Sequence, residues 1–246
     1  MLKRTVEANR FSIENSICIF VSIVVSPFLK FIYFLTKKCW RIPVKTADKC
    51  GYHQISNHTE KNRYPEIFKY AAYLTIKNQN IPDILSFGCS SGAECHTLRS
   101  YFNNGNIVGY DIFKHNIKRA NKKNNDNNIH FTSEWTHVSQ LKYDIVFLMT
   151  VLCRSPHTSN KNDCSKIYSF NQFENQILLL NEVIKTSGLL VIYNANFRFT
   201  DTKLSQRYKA IEIPGYGDSG IVPKFDRNNK LLDDQVYVFS IFKKDA

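Results

Sequence analysis

The sequence is short of acid: Asp and Glu total 21 against 33 Lys and Arg, a formal net charge of +12 over 246 residues. It has no C-x-x-C pair, and its seven cysteines, an odd number, are scattered along the chain. That spacing argues against a disulfide framework and a structural zinc site, and a reducing compartment is expected. The seven histidines show no metal-ligand spacing, so no metal is assigned. There is neither an internal repeat nor a coiled-coil heptad. What is present is an ordinary globular composition, 43% hydrophobic and 22% charged. Wholesale disorder, a collagen-like chain and a multi-pass membrane protein are thereby excluded. At roughly 100–200 residues per domain, the length holds one main domain and a smaller segment.

The acid deficit is concentrated at one end. Residues 1–50 hold nine basic and three acidic residues, so half of the net charge lies there. The same stretch contains the most apolar run of the chain, ICIFVSIVVSPFLKFIYFL from Ile17 to Leu35. As a helix it would extend about 28 Å, close to the hydrocarbon thickness of a bilayer. Lys37, Lys38, Trp40 and Arg41 follow it as a cationic and aromatic flank. Two readings stand: an anchor that spans or lies in a membrane, or two amphipathic helices split at Pro27 and packed on the domain. No small-x-small site follows the run, which fits a cleaved signal peptide poorly. Residues 1–44 are therefore read as an apolar, basic extension, with the protein at the cytoplasmic side of a membrane or in the cytoplasm.

From Lys45 to Arg63 the composition turns polar and reads as a linker. Pro65 then opens an amphipathic helix, completing a 45–80 linker and leading helix. Beyond it strands and helices alternate. Strands are expected at Ile84–Phe87, Asn106–Asp111, Ile129–Thr132, Tyr143–Met149 and Gly188–Tyr193. Helices are expected at Ala93–Phe102, Lys114–Lys123 and Phe170–Lys185. This order predicts an α/β fold over 81–246, with a doubly wound, mostly parallel sheet covered on both faces. Val222–Leu232 and Gln235–Lys243 read as an antiparallel C-terminal hairpin closing that sheet.

The chemistry-bearing segment is Phe87-Gly88-Cys89-Ser90-Ser91-Gly92-Ala93-Glu94. Gly88 allows a tight turn after the first strand, and Gly92 lets backbone approach a ligand as the helix begins. Asp111 ends the second strand, where a carboxylate can accept both hydroxyls of a ribose. Together they describe a site for an adenosine-containing cofactor. A nicotinamide dehydrogenase would need G-x-G-x-x-G; here the glycines stand as G-x-x-x-G.

In these segments the chain resembles the class I S-adenosylmethionine-dependent methyltransferases. Ile84–Gly92 resembles their first motif, Asp111 their ribose acid, Tyr143–Leu152 their fourth-strand motif, and Asn181–Ile192 their helix–turn–fifth-strand signature. Asn62–Phe68 is similar to a segment of uncharacterised bacterial members. The resemblance implies a seven-stranded Rossmann-like sheet and S-adenosylmethionine as cofactor. It implies cofactor contacts at Phe87, Gly88, Cys89, Ser90, Gly92 and Asp111. It also implies adenine contacts at Ser133 and Glu134, with Ile112 and Met149 as apolar walls. Arg63 and Tyr64 are placed to close over the cofactor.

Two positions depart from the family. Ser86 stands where an acid is usual, and Ser90 where a middle glycine is usual. Ser86→Asp is therefore expected to tighten cofactor binding, unless Glu94 already supplies the charge. The acceptor is expected to be small or lipid-like. Arg154 and His157, in the long polar loop after the fourth strand, are the candidates for clamping substrate or taking a proton. Asn194, Asn196 and Arg198 are candidates to orient it. Lys114, Lys118, Arg119, Lys122 and Lys123 form a cationic helical face with no aromatic platform, so nucleic acid is not the expected partner. A non-catalytic cofactor-binding or scaffold protein is the alternative to an enzyme.

Overall fold

The computed structural model describes residues 53–54, 56–76 and 81–245. The run from Ile17 to Leu35, and with it the membrane expectation, lies outside them. Among the described residues no helix is long and apolar enough to cross a membrane.

Helix α1 (Pro65–Ile76) precedes strand β1 (Asp83–Phe87), helix α2 (Ala93–Tyr101), strand β2 (Asn106–Tyr110) and helix α3 (Lys114–Lys123). Strand β3 (Ile129–Thr132), helix α4 (Trp135–Ser139), strand β4 (Tyr143–Met149), helix α5 (Phe170–Asn181) and strand β5 (Ile184–Tyr193) follow. Two short 3-10 turns lead to strands β6 (Tyr208–Ile211) and β7 (Ile241–Lys244). The strands form one seven-stranded sheet in the order β3-β2-β1-β4-β5-β7-β6. β1 to β5 are parallel, whereas β7 runs antiparallel to both β5 and β6. Strand order reverses between β1 and β4, and a ligand crevice forms at such a switch point, beyond the carboxyl ends of the strands.

The parallel core follows from side-chain alternation. In β4, Val146 and Leu148 join the apolar cluster of α5, with Phe173, Ile177 and Leu180. Ile145 and Phe147 face the opposite cluster, built on Ile67 and Phe68 of α1, Leu98 of α2 and Ile117 of α3. Both faces are thus covered, and a continuous apolar run such as Tyr143–Met149 is what a buried parallel strand requires. Phe147 is fully buried between Phe68 and Phe102, with ring centroids 5.6 and 6.2 Å away.

The structure corrects two expectations. β5 begins at Ile184 rather than at Gly188, and α5 ends four residues earlier than expected. The antiparallel pair that closes the sheet is β6 with β7, not Val222–Leu232 with Gln235–Lys243. Within the first of those runs the Asp226 carboxylate accepts the N–H groups of Asn228 and Lys230, and Asn229 takes φ +67°. The segment folds into a turn, with Phe225 buried under Phe197.

Candidate cofactor site

The loop from β1 to α2 is held against the end of β2. The amides of Gly88 and Cys89 both donate to the Tyr110 carbonyl, at 2.7 and 3.0 Å. Gly88 has φ +78°, and a Cβ there would lie 2.6 Å from a methyl group of Val151. Gly92 has φ +87°, and its Cβ would meet the Phe131 ring at 2.8 Å. Both glycines are needed by backbone conformation and by close packing. Ser90, in place of the middle glycine, adopts φ +51°. Its amide donates to Asp111 Oδ2 at 2.8 Å, which ties the glycine loop to the acid ending β2.

Asp111 is buried and its other oxygen accepts from the Phe113 amide at 2.9 Å and Asn116 Nδ2 at 3.0 Å. Burial nevertheless raises its pKa, against the pull of those hydrogen bonds. A carboxylate has about four acceptor positions, so roughly one remains for a ligand hydroxyl.

A cleft with a cavity volume of about 110 Å³ opens over this loop. Phe87, Gly88, Cys89, Ser90, Asp111, Ile112 and Met149 line it, together with Glu94, Tyr110, Phe113, Thr150 and Val151. Ile112 is 40% exposed, an apolar wall on a ligand-facing edge. The cleft lining mixes a few polar groups with aromatic and aliphatic side chains, as small-molecule sites do. The donor set suits an adenosine derivative: a carboxylate for the ribose, apolar surfaces for a base, and loop backbone approaching between them.

Three expected contacts fall elsewhere. Gly92 lies outside the lining and serves the packing of α2 against Phe131. Ser133 and Glu134 also lie outside it; Glu134 is exposed and faces Lys114 at 3.6 Å. Trp135, next to them, instead packs edge-on against Phe87 and Tyr110 beneath the cleft.

The substrate candidates are redistributed as well. Arg154 is fully buried, its amide donates to Asn196 Oδ1 at 2.8 Å, and its guanidinium lies over the Tyr168 ring. Neither it nor His157 lines the cleft. Asn196 bridges Arg154 to the Pro223 carbonyl, and Arg198 donates to the Asp234 carbonyl. Both serve the fold of the C-terminal loops. Asn194, at φ +60°, accepts from the amides of Ile221 and Val222 and donates to Thr150 Oγ1 at 3.3 Å.

The polar segment before α1 is a strap over the cleft. His53, Gln54, Ser56, Asn57, His58, Thr59 and Arg63 line one side of it. Asn57 accepts from Ser90 Oγ through its carbonyl and from Asn116 through its side chain. Gln54 donates to Cys153 Sγ, and the Tyr64 hydroxyl lies 2.6 Å from Thr150 Oγ1. Arg63 and Tyr64 were expected near the cofactor; the rest of the strap carries no apolar periodicity by which sequence would reveal it. His53 makes no free base, because both ring nitrogens are engaged and burial pushes its pKa down to about 4.

Ser86 and Glu94 also meet. Ser86 Oγ donates to Glu94 Oε1 at 2.8 Å, and both residues are buried. Burial pushes the Glu94 carboxyl up to about 7, opposed by the Ser86 hydrogen bond and the Arg63 charge.

With this geometry in place, residues 57–164 match the model of a family described as a methyltransferase domain. The curated proteins include no match. Among solved structures, the chain is similar to the plantazolicin methyltransferase BpumL in complex with SAH. That likeness has 19% identity and TM-score 0.37, over 52% of this chain and 44% of that one. It is also similar to StiE O-MT residues 942–1257, at 13% identity and TM-score 0.39, over 58% of this chain and 51% of that one. PKMT2 from Rickettsia typhi shares 16% identity at TM-score 0.36, over 52% of this chain and 24% of that one. The chain thus spans about half or less of the length of these structures. The matched region holds the glycine loop, the strand-two acid and β4, so it is in these residues that the chain is similar to a methyltransferase domain.

Proposed function

We propose that the chain transfers a methyl group from S-adenosylmethionine to a small or lipid-like acceptor that meets the cleft beside Thr150. The observation that carries this reading is the Ser90–Asp111 hydrogen bond, which joins the glycine loop to the ribose acid within one cleft. Residues 57–164 match a methyltransferase domain, which supports the same reaction class.

When bound, the cofactor supplies an electrophilic methyl group on a sulfonium, so the protein's task is mainly alignment. Asp111 would accept a ribose hydroxyl at its remaining acceptor position, while Ile112, Phe87 and Met149 offer apolar surface to the base. The strap, held by Asn57 and His53, would restrict water at the reacting atoms. Thr150, with Tyr64 and Asn194 on its hydroxyl, stands at the carboxyl end of β4 as an orienting group for an acceptor. His58 is the cleft imidazole not engaged by the domain core; it pairs with Glu60 at 2.9 Å. Methyl transfer to a sufficiently nucleophilic acceptor needs no general base. The lipid-like alternative rests on the apolar run at residues 17–35.

The test is calorimetric titration with S-adenosylhomocysteine, followed by methyl transfer from labelled cofactor into small-molecule and lipid extracts. Cofactor binding with label in neither fraction would favour the non-catalytic alternative.

A further inference from the structure

Helix α3 carries five cations, Lys114, Lys118, Arg119, Lys122 and Lys123, and no acid. Asn116, Ile117 and Ala120 are its buried residues, and the basic side chains fill the exposed arc on the opposite side. Lys114, Lys118 and Lys122 stand four residues apart, a row about 12 Å long. Arg119 and Lys123 form a second row beside it. Two acids flank the helix: Glu134 faces Lys114 at 3.6 Å, and Asp126 is held by Arg99 at 2.7 Å. Among the described residues no carboxylate pairs with Lys118, Lys122 or Lys123. The strap adds a further cation, since burial, Lys61 and Lys123 together lower the pKa of His96.

The helix itself accounts for only part of this pattern. Lys122 and Lys123 suit the last turn, where the dipole favours cations, but Lys114 stands in the first turn, where it does not. Like charges four residues apart also repel one another. An external anionic surface relieves that repulsion and engages both rows at once.

Two features indicate which surface. The face holds no Phe, Tyr or Trp on which a base could stack. Directly before it, Ile112 is 40% exposed on the cleft rim and Phe113 is half-buried. Apolar side chains thus adjoin the cations, as they do in helices that lie at a membrane interface.

We propose that the α3 face docks the domain on an anionic lipid surface, its lysines meeting the headgroups and Ile112 bringing the cleft rim to the bilayer. This contact is separate from the apolar run at residues 17–35, and it does not require the cofactor reading.

The test uses the full-length chain with vesicles of phosphatidylcholine alone and of equal parts phosphatidylcholine and phosphatidylserine, at the same salt. The wild type partitions more strongly onto the anionic vesicles, and high salt removes the preference. The combined variant Lys118→Gln, Lys122→Gln, Lys123→Gln lowers that preference on the order of a hundredfold, about fivefold per cation. A charge-matched control, Lys161→Gln, Lys166→Gln, Lys203→Gln, removes three exposed lysines from other elements and keeps the preference within about threefold, because a docked face outweighs net charge beyond a screening length. If other segments hold every variant on both vesicle types, lysine acetylation read by mass spectrometry decides. Lys114, Lys118 and Lys122 are then protected on the anionic vesicles and not on the neutral ones, while Lys161 and Lys166 react equally on both. Equal loss of preference in the two triple variants, or α3 lysines that stay reactive on anionic vesicles, overturns the proposal. So does α3-dependent binding of a duplex oligonucleotide that is tighter than binding to the anionic vesicles at the same salt.

Discussion

His53 joins the strap to the body of the domain through both ring nitrogens: Nδ1 lies 2.7 Å from the Tyr168 hydroxyl and Nε2 lies 2.9 Å from Gln176 Oε1. An amide oxygen only accepts, so Nε2 carries the proton and Nδ1 accepts from Tyr168. The imidazole is neutral and held edge-on to the Tyr168 ring, with centroids 5.6 Å apart. Its partners sit on α5 and in the loop before it, so one side chain fixes how the strap covers the cleft.

His53→Ala should therefore release the strap. The expected cost is about 1–3 kcal/mol, from lost hydrogen bonds and the unpaired groups left behind. Limited proteolysis should show earlier cleavage within residues 53–63, with the core from β1 onward still protected. Unchanged cleavage would mean that the contacts around Asn57 and Tyr64 hold the strap by themselves.

The same histidine makes an acid-side prediction. Its pKa is lowered to about 4 in the folded state from an ordinary 6.5. Between those values the unfolded chain binds the extra proton, so this site contributes stability above the ordinary pKa and loses it as pH falls towards 4. Denaturation midpoints of wild type and His53→Gln should differ in slope over that window, with the variant flatter. Parallel slopes would contradict the neutral, doubly engaged imidazole.

Glu94 acts with the opposite sign to an ordinary ion-paired carboxylate. Its pKa is raised to about 7 from 4.5, so the folded chain holds the proton more tightly. The site's contribution is most favourable below the ordinary pKa, and stability falls as pH rises through the folded value. Glu94→Gln, which can still accept from Ser86, should be more stable than wild type at pH 8, by on the order of 2–3 kcal/mol. The advantage should vanish near pH 4. Chemical denaturation at the two pH values checks this; a destabilised variant at pH 8 would mean that the charge is already compensated.

The parallel half of the fold is legible because each strand is locally distinctive. Tyr143–Met149 is an unbroken apolar run and becomes a strand buried on both faces. Lys114–Lys123 reads as a basic helix and is one, with Ile117 and Ala120 buried and its lysines and Arg119 exposed. The loop glycines and Asp111 could be read because one conformation and one charge define them. The strap could not: His53 meets Tyr168 and Gln176 across more than a hundred residues of chain. No local period records such a pairing. At the C-terminus, Val222–Leu232 has the apolar residues of a strand, but Asp226 captures the amides that would have joined a ladder. The short β6 includes Lys209, and its partner β7 lies far along the sequence, so its pairing is equally invisible locally.

Gly88→Ala should cost about 1–3 kcal/mol, since it combines a left-handed backbone with a Cβ inside contact distance of Val151. Adding Val151→Ala removes the clash but leaves the backbone strain, so only part of the loss should return. Urea denaturation of the three variants measures both parts. Full recovery would show that sterics alone demand the glycine.

The proposed membrane attachment predicts that the full-length chain sediments with membranes and resists carbonate washing if inserted. Removing residues 1–44 should release a domain that still binds cofactor. Aggregation or loss of binding on truncation would support the other reading, helices packed on the domain. A full-length chain found wholly in the soluble fraction would contradict membrane attachment.

The central claim, that the glycine loop and Asp111 form a cofactor site, is tested most directly by titrating the wild type and Asp111→Ala with S-adenosylhomocysteine and with NAD. The account predicts that the wild type binds S-adenosylhomocysteine and not NAD, and that Asp111→Ala weakens this binding at least tenfold through loss of a charge-assisted hydrogen bond of roughly 1.5–3 kcal/mol. Undiminished binding by the variant, or preference for NAD, would contradict it.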